Sequence, residues 1–246
     1  SSYMPNIDYI LLEQMGLTIA ELESIVQEKI LLVEPGITPM VPREYKLTTN
    51  KFNNGKCHIV INGVIQKVSF DLIQMCQKIE EGIERPVVFH FFMSSSKQDL
   101  EFSAVLSILR RYLPSSKVHG FSDYSGYMNI INQCDFAIPT VPFGGANSNI
   151  DLLRLNVPKL FLLEKGDLSG ATDYQIFKGL GALEGLCNSR EHLVKRAIEI
   201  GNDNEALDKL TQESENVDIN DFFSQQSEKV TDDRLLKGIE QLIRDF

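Results

Sequence analysis

The sequence predicts an α/β protein with a doubly wound parallel sheet of the Rossmann-like type. Short apolar segments alternate with amphipathic helical segments along most of the 246 residues, which is the pattern of a parallel sheet covered by helices. The segment Pro86–Phe92 (PVVFHFF) is apolar almost throughout, as strands buried on both faces are. Turn-forming residues separate the segments, and no internal repeat is visible.

The elements follow in order along the chain. Apolar residues at helical spacing predict a helix over Asp8–Gln27, and the Pro- and Gly-rich stretch Glu34–Asn54 predicts a long connection. The predicted strands are Lys29–Val33, Cys57–Asn62, Pro86–Phe92, Ser116–Gly120, Asp135–Ile138 and Lys159–Leu163. The predicted helices span Ser69–Ile83, Asp99–Leu113, Ser125–Gln133 and Asn147–Leu155, and others begin near Asp173, Ser189, Asn204 and Thr231.

Composition is that of a globular protein and argues against several classes. Hydrophobic residues make up 43% and charged residues 24% of the chain. The net charge is −10, without a basic stripe, so we expect no nucleic-acid partner. No apolar run reaches the roughly 20 residues that a membrane span needs, and no signal peptide opens the chain. The chain starts with Ser rather than Met, so we expect it to be part of a longer protein.

The four cysteines and four histidines are scattered. No two cysteines have the spacing of a metal or redox pair, so we expect no metal site. Free thiols without an export signal indicate a reducing, cytoplasmic compartment.

The strongest motif is Pro142–Asp151 (PFGGANSNID), which follows a strand and opens a helix. Gly144 and Gly145 let the backbone approach a ligand, and unshielded first amides of the helix suit an anion such as a diphosphate. Asp151, about one turn further on, is placed to accept hydrogen bonds from ribose hydroxyls. A tight turn with an Asp that stabilises the helix explains the motif equally well.

Other candidates lie in the loops at the carboxyl ends of the predicted strands. Lys67 could reach a phosphate and stabilise charge on a leaving group, although most exposed lysines are only solvated. Tyr124 and Tyr127 could line a base pocket, and for Tyr127 ordinary helix packing is the preferred interpretation. The phosphate loop of NTPases, the dinucleotide-binding glycine motif and the hydrolase elbow are all missing from the sequence.

The run Tyr127–Asp135 (YMNIINQCD), followed by Pro142–Gly144 and Asn147–Asp151, resembles the bacterial adhesin N-glucosyltransferases. These belong with the O-GlcNAc-transferase-like enzymes of glycosyltransferase family 41. The likeness continues in order through Glu28–Leu32, Met40–Pro42, Gly63–Lys67, Phe89–Phe91 and Phe177–Gly181.

The resemblance implies a two-lobed GT-B glycosyltransferase of which this chain is the C-terminal, donor-binding lobe. The resemblance implies that Lys67 contacts the diphosphate and has the catalytic role. It also implies that His119 and Tyr124 lie near the uridine. The substrate-binding residues that the resemblance implies in this chain are Ser95, His119, Tyr124, Gly144, Gly145, Asn147 and Asp151. Ser95 belongs to the Ser94–Ser96 run that stands where the family has a glutamine. The loop Asp167–Thr172 likewise replaces a histidine- and glutamate-bearing loop, so donor sugar identity is left open.

The implied organisation has three parts. Residues 1–54 are a linker and lead-in from a missing N-terminal lobe, 55–200 the nucleotide-sugar-binding domain, and 201–246 acidic helices packed on it. The last part carries 12 acidic and 5 basic side chains.

The implied function is inverting transfer of a hexose or N-acetylhexosamine from a UDP-sugar, as co-substrate and without a cofactor, to a protein or glycan acceptor. A non-catalytic module that binds a nucleotide sugar or a partner protein is the alternative. A sugar-nucleotide epimerase-like enzyme is a weaker third hypothesis.

Overall fold

The computed structural model describes residues 9–13, 20, 23–24, 26–33, 43–92, 100–120, 122–164, 171–219, 240 and 244. The chain forms two compact units. One unit is Pro42–Val217, and the other combines Ser1–Val41 with Asp218–Phe246. The sequence-based division placed its boundaries after residues 54 and 200.

The smaller unit contains a two-stranded parallel sheet. Strand β1 (Tyr9–Glu13) pairs with strand β2 (Lys29–Val33), with Tyr9 opposite Lys29. The predicted helix over Asp8–Gln27 is therefore wrong at its start. Tyr9 to Leu12 form one unbroken apolar run, and a run this short fits the patterns of a strand and of a buried helix equally well.

The larger unit has six strands: β3 (Cys57–Ile61), β4 (Val87–Phe92), β5 (Ser116–His119), β6 (Phe136–Ile138), β7 (Phe161–Leu162) and β8 (Leu186–Cys187). Four of them form a parallel sheet in the order β5-β4-β3-β6. An isolated bridge from Ala137 to Lys159 leads from β6 to the parallel pair β7–β8. The sequence analysis missed β8 because two residues carry no periodicity.

Helices connect the strands as the sequence predicts. They are α1 (Phe70–Gly82), α2 (Leu100–Tyr112), α3 (Tyr124–Asn132), α4 (Ala146–Arg154), α5 (Ala171–Gly179), α6 (Arg190–Asn202) and α7 (Asn204–Glu215). Ser69 and Ser189 cap α1 and α6 by accepting hydrogen bonds from first-turn amides. The helix predicted from Thr231 falls outside the described residues except at Glu240 and Arg244, which are helical. In the part of the chain that is described, no helix has the length and apolarity to cross a bilayer.

The sheet is covered on both faces, which confirms the doubly wound architecture. Ile59 and Ile61 of β3 belong to one buried cluster with residues of α1 and α6. Val60, between them, belongs to a second cluster with Met128 of α3 and Leu152 of α4. Because successive side chains of a strand point to opposite faces, both faces of β3 are buried.

The strand order places a topological switch point beside β3. The chain moves from β3 outward to β4 and β5, and then returns to β6 on the other side of β3. The loops after β3 and β6 therefore diverge and leave a crevice at the carboxyl ends of these two strands. Open α/β sheets bind their ligands at such a crevice.

Three histidines on neighbouring strands form a chain of ring nitrogens. His58 Nδ1 lies 2.9 Å from His90 Nε2, and His90 Nδ1 lies 3.0 Å from His119 Nε2. His90 is only 1% exposed. Burial, and then the positive charges that His119, His58 and Lys117 can carry, lower the pKa of His90 to about 3.

Acid is therefore expected to destabilise this unit through His90. Unfolding restores a pKa near 6.5, so the unfolded state binds the extra proton between about pH 6.5 and pH 3. The contribution of His90 to stability is complete above pH 6.5 and falls by up to about 1.4 kcal/mol per pH unit below it. Urea unfolding from pH 7.5 to 4.5 measures this. His90→Gln should flatten the pH dependence of the free energy of unfolding. Equal slopes for the wild type and His90→Gln would contradict the prediction.

Candidate functional site

A cavity of about 610 Å³ opens at the carboxyl edge of the larger sheet. Its lining comes mainly from the loops after β3, β5 and β6, with the helices that follow them. The residues that line it are Arg43, Asn62, Gly63, Val64, Lys67, Phe92, Gly120, Ser122, Asp123, Tyr124, Tyr127, Gly145, Asn147, Ser148 and Asp151. The cavity thus lies at the switch point that the strand order defines.

Most of the residues proposed from the sequence meet at this cavity. Lys67, Tyr124, Asn147 and Asp151 line it, as does Gly145. Gly144 lies next to these residues, since its carbonyl oxygen accepts a hydrogen bond from the Lys67 ammonium group. His119 is not part of the lining; its ring stacks on His90 and on Phe92. Ser95 lies outside the described residues.

Lys67 ends a 3₁₀ turn (Ile65–Lys67) directly after β3. Its side chain bridges the crevice to the Gly144 carbonyl in the loop after β6. Burial lowers the pKa of Lys67, while the nearby carboxylate of Asp173 opposes that shift. The structure therefore holds a partly desolvated lysine at the start of α4, and a cation in such surroundings interacts with an anion more strongly than one in bulk water does.

Helix α4 begins without a side-chain cap. Its N-cap residue is Gly145, in extended conformation, and no side chain accepts a capping hydrogen bond. The first amides of any α-helix lack intrahelical acceptors, so the start of α4 carries partial positive charge. The amide of Gly145 itself donates to Asp173 Oδ1 at 2.7 Å. The sequence predicts that Gly145 lets the backbone approach a ligand; in the structure its own amide is bound to Asp173, which leaves the amides that follow it in α4 for an anion.

Asp151 lies in the second turn of α4, beside two tyrosines. The Tyr124 hydroxyl donates to Asp151 Oδ1 at 2.5 Å, and Asn62 Nδ2 donates to the Tyr127 hydroxyl at 2.6 Å. Burial raises the pKa of Asp151, and the hydrogen bonds from Tyr124 and Tyr127 oppose that shift. Burial and the contact with Asp151 raise the pKa of Tyr124 to about 12, so its hydroxyl is a proton donor at neutral pH.

Tyr127 combines two roles that the sequence analysis separated. Its ring packs edge-on against Phe92 with centroids 5.2 Å apart, as the expected helix packing requires. The same residue also lines the cavity and carries the hydrogen bond from Asn62. The sequence-based interpretation of Tyr127 as a packing residue therefore left out its position in the cavity lining.

Sequence reasoning missed Arg43 and Asn62. Arg43 stands in the stretch expected to be a linker, but it lines the cavity, with its guanidinium carbon 5.8 Å from the centre of the Tyr124 ring. The only sequence signal for it is its position directly after the Met40–Pro42 segment. Asn62, the last residue of a predicted strand, shows its role only through the hydrogen bond to Tyr127. Within the described residues, no group of three His, Cys, Asp or Glu side chains could hold a metal ion.

Comparisons with known proteins show which proteins this chain is similar to. No protein-family model matches the sequence. Two curated relatives are both named UDP-glucose:protein N-beta-glucosyltransferase, from Actinobacillus pleuropneumoniae serotype 5b (strain L20) and serotype 7 (strain AP76). Each is 27% identical over 171 residues, which cover 68% of this chain and 27% of the relative. The chain thus matches about a quarter of the length of these relatives.

Among solved structures, a mutant of the Thermobaculum terrenum O-GlcNAc transferase aligns with a TM-score of 0.71 at 15% identity, over 97% of this chain and 44% of that one. The chain has the fold of GT-B glycosyltransferases. TarM has the same fold. It aligns with a TM-score of 0.52 at 13% identity, over 91% of this chain and 42% of that one. WaaG, a glycosyltransferase involved in lipopolysaccharide biosynthesis, has the same fold. It aligns with a TM-score of 0.51 at 13% identity, over 87% of this chain and 60% of that one. The resemblance to the N-glucosyltransferases and the GT-B fold class, both expected from the sequence, are confirmed.

Proposed function

We propose that this chain is the C-terminal, donor-binding lobe of an inverting glycosyltransferase that uses a UDP-sugar. The proposed reaction transfers a hexose or an N-acetylhexosamine to a protein or glycan acceptor that a second, N-terminal lobe helps to bind. The observation that carries the proposal is the position of Lys67, which bridges the two loops of the switch point beside the uncapped start of α4. The names of the two curated relatives support UDP-glucose as the class of donor.

In the proposed complex the diphosphate lies between Lys67 and the first amides of α4. Lys67 then exchanges its hydrogen bond with the Gly144 carbonyl for one with a phosphate oxygen. Asp151, one turn deeper in the helix, accepts hydrogen bonds from the ribose, and Tyr124 lines the path towards the base. A neutral carbonyl is a weaker acceptor than a phosphate oxygen, so this exchange favours ligand binding.

The proposed chemistry is a direct displacement at the anomeric carbon. The acceptor atom forms a bond to that carbon while the bond to the β-phosphate oxygen breaks, and the electron pair leaves with UDP. Negative charge grows on the leaving oxygen, where Lys67 and the α4 dipole stabilise it more than they stabilise the bound donor. The proposal assigns this charge stabilisation to protein groups, without a metal ion. The acceptor loses a proton to a group outside this lobe.

The place of the reaction is also part of the proposal. All four cysteines, Cys57, Cys76, Cys134 and Cys187, are buried free thiols. Burial raises the pKa of each of them, so they remain unreactive thiols at neutral pH. Free thiols are typical of proteins in a reducing compartment, which supports the cytoplasm.

Nucleotide selectivity tests the proposed function. Calorimetric titration of this chain is expected to show that UDP binds at least about tenfold more tightly than ADP or GDP, a difference of about 1.4 kcal/mol. The reason is the similarity to relatives that are named for UDP-glucose, because a site that makes hydrogen bonds to uracil cannot make the same ones to a purine. Equal affinity for the three nucleotides would contradict uridine recognition, and no binding of any of them would contradict the donor site itself.

A further inference from the structure

Three buried polar side chains form a closed group directly behind the glycine loop. Lys159 Nζ donates to Asp173 Oδ2 and to Asn149 Oδ1, in each case at 2.5 Å. Asn149 Nδ2 donates to Asp173 Oδ1 at 2.9 Å. Lys159 is 6% exposed, Asp173 is 1% exposed and Asn149 is fully buried. We call these three residues the Asp173 network.

The Asp173 network holds the loop that enters α4. Asp173 Oδ1 accepts the amide hydrogen of Gly145 at 2.7 Å. A Cβ atom on Gly144 would overlap the same carboxylate, so this position requires glycine because of Asp173. Lys67 binds the Gly144 carbonyl at the same time. The single peptide group between Gly144 and Gly145 is thus held at both ends, by the Asp173 carboxylate at its N–H and by the Lys67 ammonium group at its C=O.

The two charges of the network balance each other. A buried carboxylate without a partner carries a large desolvation cost, and it would also repel an anion bound nearby. Lys159 supplies the compensating charge from the segment before β7, while Asp173 comes from the first turn of α5. Neither residue lines the cavity, so neither has a direct contact to a ligand there.

We propose that Asp173 and Lys159 are positioning residues for the donor diphosphate. Asp173 sets the orientation of the peptide group between Gly144 and Gly145, so that the next amides of α4 point into the cavity. Lys159 neutralises Asp173, so that a buried negative charge does not oppose the phosphates. The inference rests on the proposed function, because it requires that a diphosphate binds at the start of α4.

The sign of the charge change distinguishes this role from a merely structural one. Lys159→Met removes the ammonium group that is hydrogen-bonded to Asp173, so the carboxylate draws on the charge of Lys67 and opposes the phosphates, and UDP binding is expected to weaken about tenfold. Asp173→Asn keeps an oxygen for the Gly145 amide and leaves a positive charge, so UDP affinity should be unchanged or slightly higher. The double variant Lys159→Met/Asp173→Asn removes both charges and should return to within about threefold of wild type. Uridine, which has no phosphate, should bind all variants alike.

Calorimetry with UDP and NMR titration with uridine carry out the test, with thermal unfolding to show that each variant is folded. If Lys159→Met does not fold, two double variants without either charge are compared, Lys159→Met/Asp173→Asn and Lys159→Met/Asp173→Ala. In that comparison, Asp173→Ala in place of Asp173→Asn removes the acceptor of the Gly145 amide and should weaken UDP binding about fivefold. Arg196→Met, which breaks the pair with Glu184 away from the lining residues, is the matched control and should leave UDP affinity unchanged.

Two results would overturn the inference. One is equal weakening of UDP and uridine binding by Lys159→Met and Asp173→Asn, which would indicate a general effect on the fold. The other is unchanged UDP affinity in both the single variants and the Asp173→Ala variant. Failure of the wild-type chain to bind UDP would instead count against the proposed function.

Discussion

Lys67→Ala is expected to weaken UDP binding by about 10- to 100-fold. A charge-assisted hydrogen bond contributes about 1.5–3 kcal/mol, and each 1.4 kcal/mol corresponds to a tenfold change in affinity. Lys67 is also expected to matter more for turnover than for binding in the full-length protein. The leaving oxygen gains charge as the glycosidic bond breaks, so the ammonium group interacts with the transition state more strongly than with the bound donor.

The matched control is Lys78→Ala. Lys78 is an exposed lysine on α1 and does not line the cavity, so its loss should leave UDP affinity unchanged. Thermal unfolding of both variants checks the fold, because Lys67 also binds the Gly144 carbonyl. A Lys67→Ala protein with wild-type UDP affinity and wild-type turnover would show that Lys67 is only a partly buried lysine of the loop.

Asp151→Asn is expected to reduce UDP affinity about tenfold while leaving pyrophosphate affinity unchanged or slightly higher. A carboxylate has two oxygens and about four acceptor sites, and the Tyr124 and Tyr127 hydroxyls use two of them. The remaining sites then serve the ribose. An asparagine has one oxygen, for which the tyrosines and the ribose must compete. Pyrophosphate has no ribose, so the ratio of the two affinities isolates this interaction.

The competing explanation for Asp151 is a favourable interaction with the helix dipole. That effect is worth about 0.3–1 kcal/mol and fades beyond the first turn. Helix α4 starts at Ala146 and has no acidic residue in its first turn, so Asp151 is poorly placed for it. Tyr124→Phe is a useful companion variant, because it frees Oδ1 without changing the carboxylate. An unchanged ratio of UDP to pyrophosphate affinity in Asp151→Asn would remove Asp151 from the site.

Periodicity and turn residues were sufficient to predict most of the larger unit. The alternation of apolar strands with amphipathic helices recovers β3 to β7 and the helices between them, since β3, β4, β6 and β7 are largely buried and the helices have apolar faces. Strand β1 was taken for a helix because its pairing with β2 is a non-local fact that a short apolar run does not encode. Strand β8 has two residues, which pair with β7 and are too few to show a periodic pattern.

The candidate site was predictable where a single segment carries the signal. The Gly144–Gly145 turn, Asn147 and Asp151 follow one strand, and Lys67 follows its neighbour in the sheet. The Asp173 network was not predictable, because Asn149, Lys159 and Asp173 lie on three separate segments and read as ordinary helix and strand residues. Arg43 was missed for the same reason: its meaning depends on the ring of Tyr124, far away in the sequence.

The structure of this chain with UDP bound tests the central claim most directly. The proposal predicts that the β-phosphate lies within hydrogen-bonding distance of Lys67 Nζ and of the first amides of α4, with the ribose hydroxyls on Asp151. The Lys67 contact with the Gly144 carbonyl should then be replaced by the contact with phosphate. UDP bound outside this cavity, or bound with its phosphates towards Tyr124 and its base towards Lys67, would contradict the proposed donor site.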